Sequence, residues 1–135
     1  MNNKDKINMI AGGQIKEGLL EFKVGDTVKV FTKIPEGDKI RLHPFEGIVI
    51  ARKCSGIHDT FIVRKVSFGE GIERVFPLNS PAIDRIEVLQ KGDVKRSKLY
   101  YLRGKVGKKA KVKAANSDAL NVVKSDEQKA RIISV

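Results

Sequence analysis

The chain has 135 residues, 41% of them apolar and none of them tryptophan, and 27 Lys and Arg against 16 Asp and Glu give a formal charge of +11. That length suits one domain with a modest core, and apolar runs such as Ile48 to Ala51 fall far short of the roughly 20 residues that cross a bilayer, so no membrane partner is expected. A single cysteine, Cys54, excludes an internal disulfide and a zinc site built on paired cysteines, which fits a cytoplasmic, reducing setting.

Residues 1–21 read as an N-terminal arm. Ile7, Met9, Ile10, Ile15, Leu19 and Leu20 offer a weak amphipathic pattern that Gly12, Gly13 and Gly18 interrupt, which predicts an arm helical in part and loosely held. The mixture of Lys4, Lys6 and Lys16 with Asp5, Glu17 and Glu21 resembles neither a secretory signal nor a transit peptide.

From Phe22 to residue 90 the pattern changes to short segments rich in β-branched and aromatic residues, punctuated by Gly, Pro, Asn and Asp. This predicts an all-β unit, a small sandwich or barrel. The first strand is expected at Thr27 to Phe31, with Val28 and Val30 on one face and Lys29 on the other. Pro35 and Gly37 make Ile34 to Lys39 an exposed loop, and Ile40 to Pro44 leads into a second strand at Gly47 to Arg52. A third strand, Thr60 to Val66, follows the CSGIHD turn. After SFGEG a fourth runs from Ile72 to Phe76, with Ile72 and Arg74 on one side and Glu73 and Val75 on the other. Pro77 and Pro81 bracket an exit turn, and residues 82–89 form the last strand, with Ile86 and Val88 on one face.

Charge concentrates beyond that point. Lys91 to Lys113 holds ten Lys or Arg and one acid, Asp93, leaving 17 basic and 15 acidic groups for the other 112 residues. A nearly neutral folded unit thus carries a dense cationic band, and a polyanion such as nucleic acid is the partner that gains most from it. Within the band, Leu99 to Leu102 is an apolar cluster able to dock on the β unit as a short strand or a helical turn. Segments this basic commonly order only on binding. Residues 114–135 mix small and charged residues without patterning and are expected to form a mobile tail.

In this order, FKVGDTVKV, FEGIVIARK, FIVRKVSFGEGIERVFPLNSP, IDRIEV and KLYYLRGKVGKKAKV make residues 22 to about 113 resemble the bacterial large-subunit ribosomal protein nineteen family. The resemblance implies an SH3-like β-barrel over residues 22–90, followed by an rRNA-binding segment at residues 91–113. It implies a structural constituent of the large ribosomal subunit that binds large-subunit (23S) rRNA and adjoins neighbouring large-subunit proteins. It further implies a contribution to the contact between the subunits, and hence to small-subunit (16S) rRNA. The 22 residues after Lys113 extend past the shared blocks.

The candidate RNA-binding residues fall in two groups. The band supplies Lys95, Arg96, Lys98, Arg103, Lys105, Lys108, Lys109, Lys111 and Lys113, whose cations suit phosphates. Interleaved with them, Tyr100 and Tyr101 can stack on unpaired bases or pack against the β unit. The β unit supplies Arg41, Arg52, Lys53, Arg64, Lys65 and Arg74, of which Arg52, Lys53 and Arg64 come first. Alternation puts Arg64 and Lys65 on opposite faces, and an ion pair with Glu70 or Glu73 is the plain alternative for Arg74. Tight turns explain Gly47, Gly69 and Gly71 better than a phosphate cradle does, because GKVGKK lacks the spacing of a P-loop. His43, His58 and Cys54 have no partner at ligand or triad spacing. No catalytic residue, metal, cofactor or small-molecule substrate is expected. The competing function is a non-ribosomal translation or transcription factor using the same kind of module transiently.

Overall fold

The computed structural model describes residues 1–16, 21–105 and 107–115. Leu19, Leu20 and Gly18 of the arm, and the tail from residue 116 onward, lie outside the described residues. The chain is mainly β. Helix α1 (Asn3–Gly12) is followed by five strands, β1 (Thr27–Glu36), β2 (Lys39–Lys53), β3 (Thr60–Ser67), β4 (Glu70–Pro77) and β5 (Ile83–Gln90), with a short 3₁₀ segment (Gly56–His58) between β2 and β3 and two short 3₁₀ turns after β5. All neighbours are antiparallel, in the order β4-β3-β2-β1-β5.

The ladder is open, with β4 and β5 as its edges, and side chains bring those edges over one core. Alternation turns Val28 and Val30 of β1, Phe45 and Val49 of β2, Phe61 and Val63 of β3, Phe76 of β4 and Ile83 and Ile86 of β5 into a single buried cluster. Phe61 carries the aromatic packing, edge-on to Phe22 at 4.9 Å and stacked with Phe76 at 5.5 Å.

Strand β2 departs from simple alternation. Its register with β3 shifts between Val49, opposite Val63, and Ala51, opposite Ile62, so Ile50 is the extra residue of a bulge. Val49, Ile50 and Ala51 are consequently all buried, Val49 in the inner cluster and the other two in a second cluster on the outer face. The outer cluster is where the basic segment attaches.

The expected loop at Ile34 to Lys39 is instead the end of a long hairpin. Pairing runs on to Glu36 opposite Lys39, and Gly37 and Asp38 make a two-residue turn. Pro35 is tolerated because pairing with β5 has ended by Thr32, so its missing N–H deprives no outer neighbour. The ribbon is exposed as expected, including Ile40 and Leu42.

Helix α1 buries none of its residues. The arm is fastened just beyond it, where the Lys16 ammonium donates to the carbonyls of Ser80 at 2.6 Å and Ile83 at 2.7 Å. Burial there lowers the Lys16 pKa.

Candidate nucleic-acid interface

The cationic band folds into a lobe held at three places. Leu99 donates its N–H to the Ile50 carbonyl at 2.7 Å, and Leu99 and Leu102 are buried in the outer cluster with Ile50 and Ala51, flanked by Val94 and Val112. Burying each leucine contributes on the order of 2 kcal/mol. The 3₁₀ turn Tyr100–Gly104 lies between this anchor and the second turn, Gly107–Ala110.

The lobe's two ends also meet. Gly92 bridges Ala114, Asp93 donates its N–H to Lys113 at 2.9 Å, and Ala115 donates to Lys91 at 2.9 Å. At that closure the buried carboxylate of Asp26 accepts the N–H groups of Gly92 at 3.0 Å and Lys23 at 2.9 Å. Position 92 must be glycine because a Cβ would stand 2.1 Å from the Gly25 carbonyl oxygen.

This closure gathers cations that are far apart in sequence. Lys95 and Arg96 from the outgoing arm, Lys105 from the bend, and Lys111 and Lys113 from the returning arm line a cleft of about 530 Å³ with Tyr101; Asp93 is the acid in its lining. Tyr101 is half exposed, and both Arg96 and Lys105 lie over its ring, at 5.4 and 5.1 Å from the centroid. A second cleft, about 610 Å³, brings Lys108 and Lys111 beside Lys65 and Val66 of β3. A third, about 380 Å³, sets Lys53 and Arg52 of β2 opposite Lys98 and Tyr100. Lys109 sits in the exposed second turn. Anions of extended shape could be held along these clefts at several points at once.

Other candidates have partners within the fold. The Arg64 side chain is only 10% exposed and its guanidinium donates to Glu73 at 3.1 Å and to the Arg103 carbonyl at 3.1 Å. It lies across Gly71, where a Cβ would come within 2.1 Å of its Nη2. Arg103 completes a fork onto the same carboxylate, Nε and Nη2 each at 2.9 Å, while its guanidinium covers the Tyr100 ring at 4.6 Å. Hydrogen bonding from Arg103, ahead of that from Arg64, holds the Glu73 carboxyl below its ordinary pKa. Glu73 thus braces the first turn against β3 and β4.

Arg52 donates to the Phe22 carbonyl at 3.2 Å and lies over the Phe22 ring. Arg74 packs over Phe76 at 5.1 Å, and the Glu73 ion pair considered for it is made by Arg64 and Arg103 instead. Lys65 lies over Phe45, so Arg64 and Lys65 do occupy opposite faces. Arg41 is on the exposed ribbon, paired with Glu36 at 3.4 Å and outside all three clefts.

Sequence reasoning missed Asp26 and the bracing role of Glu73. Only the latter had a signal, an acid embedded among arginines. Among the described residues no three His, Cys, Asp or Glu side chains are gathered as for a metal, and no helix is long and apolar enough to cross a membrane.

Comparison with known proteins covers both the β unit and the lobe. A family model described as ribosomal protein L19 matches residues 5–115. The large ribosomal subunit protein bL19 of Clostridium novyi (strain NT) is 55% identical over 111 residues, 82% of this chain and 96% of that protein. The protein of the same name from Trichormus variabilis (strain ATCC 29413 / PCC 7937) is 53% identical over 113 residues, 84% of this chain and 94% of its own. That from Brachyspira hyodysenteriae (strain ATCC 49526 / WA1) is 52% identical over 107 residues, 79% of this chain and 74% of its own.

Proposed function

Since the chain belongs to the ribosomal protein L19 family, we propose that it is a structural constituent of the cytoplasmic large ribosomal subunit whose clefts hold large-subunit (23S) rRNA. It catalyses no reaction. The observation that carries this reading is the convergence of Lys95, Arg96, Lys105, Lys111 and Lys113 on one cleft with Tyr101. Bringing five like charges together is unfavourable in water alone and becomes favourable against phosphates. Lys53, Lys98, Lys108 and Lys109 extend the contact to either side. Arg52, Arg64, Arg74 and Arg103 act mainly by shaping the surface, because their guanidinium groups already have partners within the fold. Duplex RNA hides its base edges in a deep groove, so shape and backbone are what such clefts read.

The test is binding of the full chain to 23S rRNA across a salt series. Affinity should fall on a log–log plot with a slope of about −0.7 to −0.9 per phosphate contacted. Replacing Lys105 and Lys111 by Gln should flatten the slope by about two contacts' worth. An unchanged slope overturns the cleft as the RNA site. A constituent should also stay stoichiometric with the large subunit through a high-salt wash, whereas a transient factor leaves. Contact with small-subunit (16S) rRNA and with neighbouring large-subunit proteins follows from the family resemblance, and crosslinking from Lys33 and Lys39 on the exposed ribbon in intact ribosomes tests it.

A further inference from the structure

The tip of the β3–β4 hairpin has a residue that the fold itself does not account for. The last pair is Ser67 opposite Glu70, so Phe68 and Gly69 are the whole turn. Both are left-handed, with φ of 51° and 79°, and Phe68 is the one non-glycine residue with positive φ among the described residues. Such two-residue turns favour Asn-Gly or Gly-Gly, because a bulky side chain is strained there. The Phe68 ring is nonetheless fully exposed. Strain and exposure together leave it without a structural role, and strained residues of this kind gather where a ligand is met.

The surroundings say what that ligand is. Val66, two residues before the tip and therefore within about 7 Å of it along the strand, lines the second cleft with Lys65, Lys108 and Lys111 against one acid, Glu46. Glu70 is the acid at the turn itself. A backbone phosphate held by those lysines would leave its base free to meet an apolar ring close by. A phenyl ring accepts any base face, since every nucleobase has one.

We propose that Phe68 is a stacking finger, its ring laid against an unpaired RNA base whose phosphate the adjacent lysines hold. This rests on the reading that the clefts bind RNA, and it adds single-stranded or bulged nucleotides to the target.

The test uses the full chain with two probes, the unpaired oligonucleotide rA12 and a blunt-ended, fully paired RNA duplex. Phe68→Ala should weaken rA12 binding roughly 5- to 150-fold, the range that loss of one base–aromatic stack produces. The salt slope should not change, because no charge is lost. Phe68→Leu should fail in the same way, while duplex binding stays at the wild-type level. Since the chain lacks tryptophan, Phe68→Trp gives a single tryptophan, excited apart from Tyr100 and Tyr101, whose emission rA12 should quench and the paired duplex should not. The finger is overturned if Phe68→Leu binds rA12 like the wild type, because leucine has no ring to stack. It is equally overturned if Phe68→Ala weakens both probes alike or neither. Salt-dependent binding that ignores every Phe68 substitution sinks the finger alone, whereas wild-type binding that ignores salt sinks the RNA reading beneath it.

Discussion

Replacing Glu73 by Gln probes the brace between the sheet and the lobe. The Glu73 side chain is 23% exposed and Arg64 10% exposed, so their contact is partly shielded from water. A hydrogen bond to a charged group contributes about 1.5–3 kcal/mol. Glutamine keeps an acceptor in place, and solvent screening reduces what the charge adds, so the net loss should be about 1 kcal/mol. That corresponds to a fall of roughly 4 °C in Tm. The pH dependence gives the sharper test. Arg103 and Arg64 hold the folded-state carboxyl below its ordinary value of 4.5, so the carboxylate's contribution is complete above 4.5. It declines below that value and disappears once pH has fallen past the lowered folded value. Urea midpoints of wild type and Glu73→Gln should therefore differ at neutral pH and converge in acid. Equal midpoints at neutral pH, or a gap of the same size in acid, would refute the charge-based account of the brace.

Asp26→Ala removes a buried acceptor from two backbone N–H groups, those of Lys23 and Gly92, and should cost about 2–3 kcal/mol by chemical denaturation. A loss under 0.5 kcal/mol, the usual range for a neutral surface change, would mean that it does not fasten the lobe. Leu99→Ala empties part of the outer cluster and should destabilise by about 2–4 kcal/mol. It should also weaken rRNA binding although no charge is changed, because the cleft loses its seat on Ile50; unchanged binding would separate the lobe's shape from its function. Phe68→Gly should raise stability by about 1 kcal/mol through relief of turn strain, read as a higher Tm. A lower Tm would show that the ring has a structural role after all.

The alternation of Val28 with Lys29 and of Phe61 with Ile62 made β1 and β3 readable, because both strands have one face on the inner core. β2 was harder. Its bulge buries Val49, Ile50 and Ala51 in succession, and a bulge is a property of the pairing between strands rather than of one strand's pattern. Pro35 and Gly37 point to a loop in the sequence because turn chemistry and a strand end look alike until the absence of an outer neighbour is known. The cations of the band were legible as a block, but their convergence depends on Gly92 meeting Ala114 across 21 intervening positions, a contact that no local rule anticipates. Arg64 looked like a phosphate ligand and Glu73 like a partner for Arg74. Arg64 reaches the carboxylate across Gly71, where no Cβ stands in its way, and Arg103 reaches it from the lobe. At SFGEG the glycines drew attention as turn formers, and Phe68 passed as part of the turn.

The bridge between Gly92 and Ala114 bears on association as well as on shape. A lysine-rich segment left as free coil would lose its conformational freedom at the moment of capture, offsetting much of the attraction. Here that ordering belongs to folding. A segment closed in this way has fewer conformations to give up when a polyanion meets it.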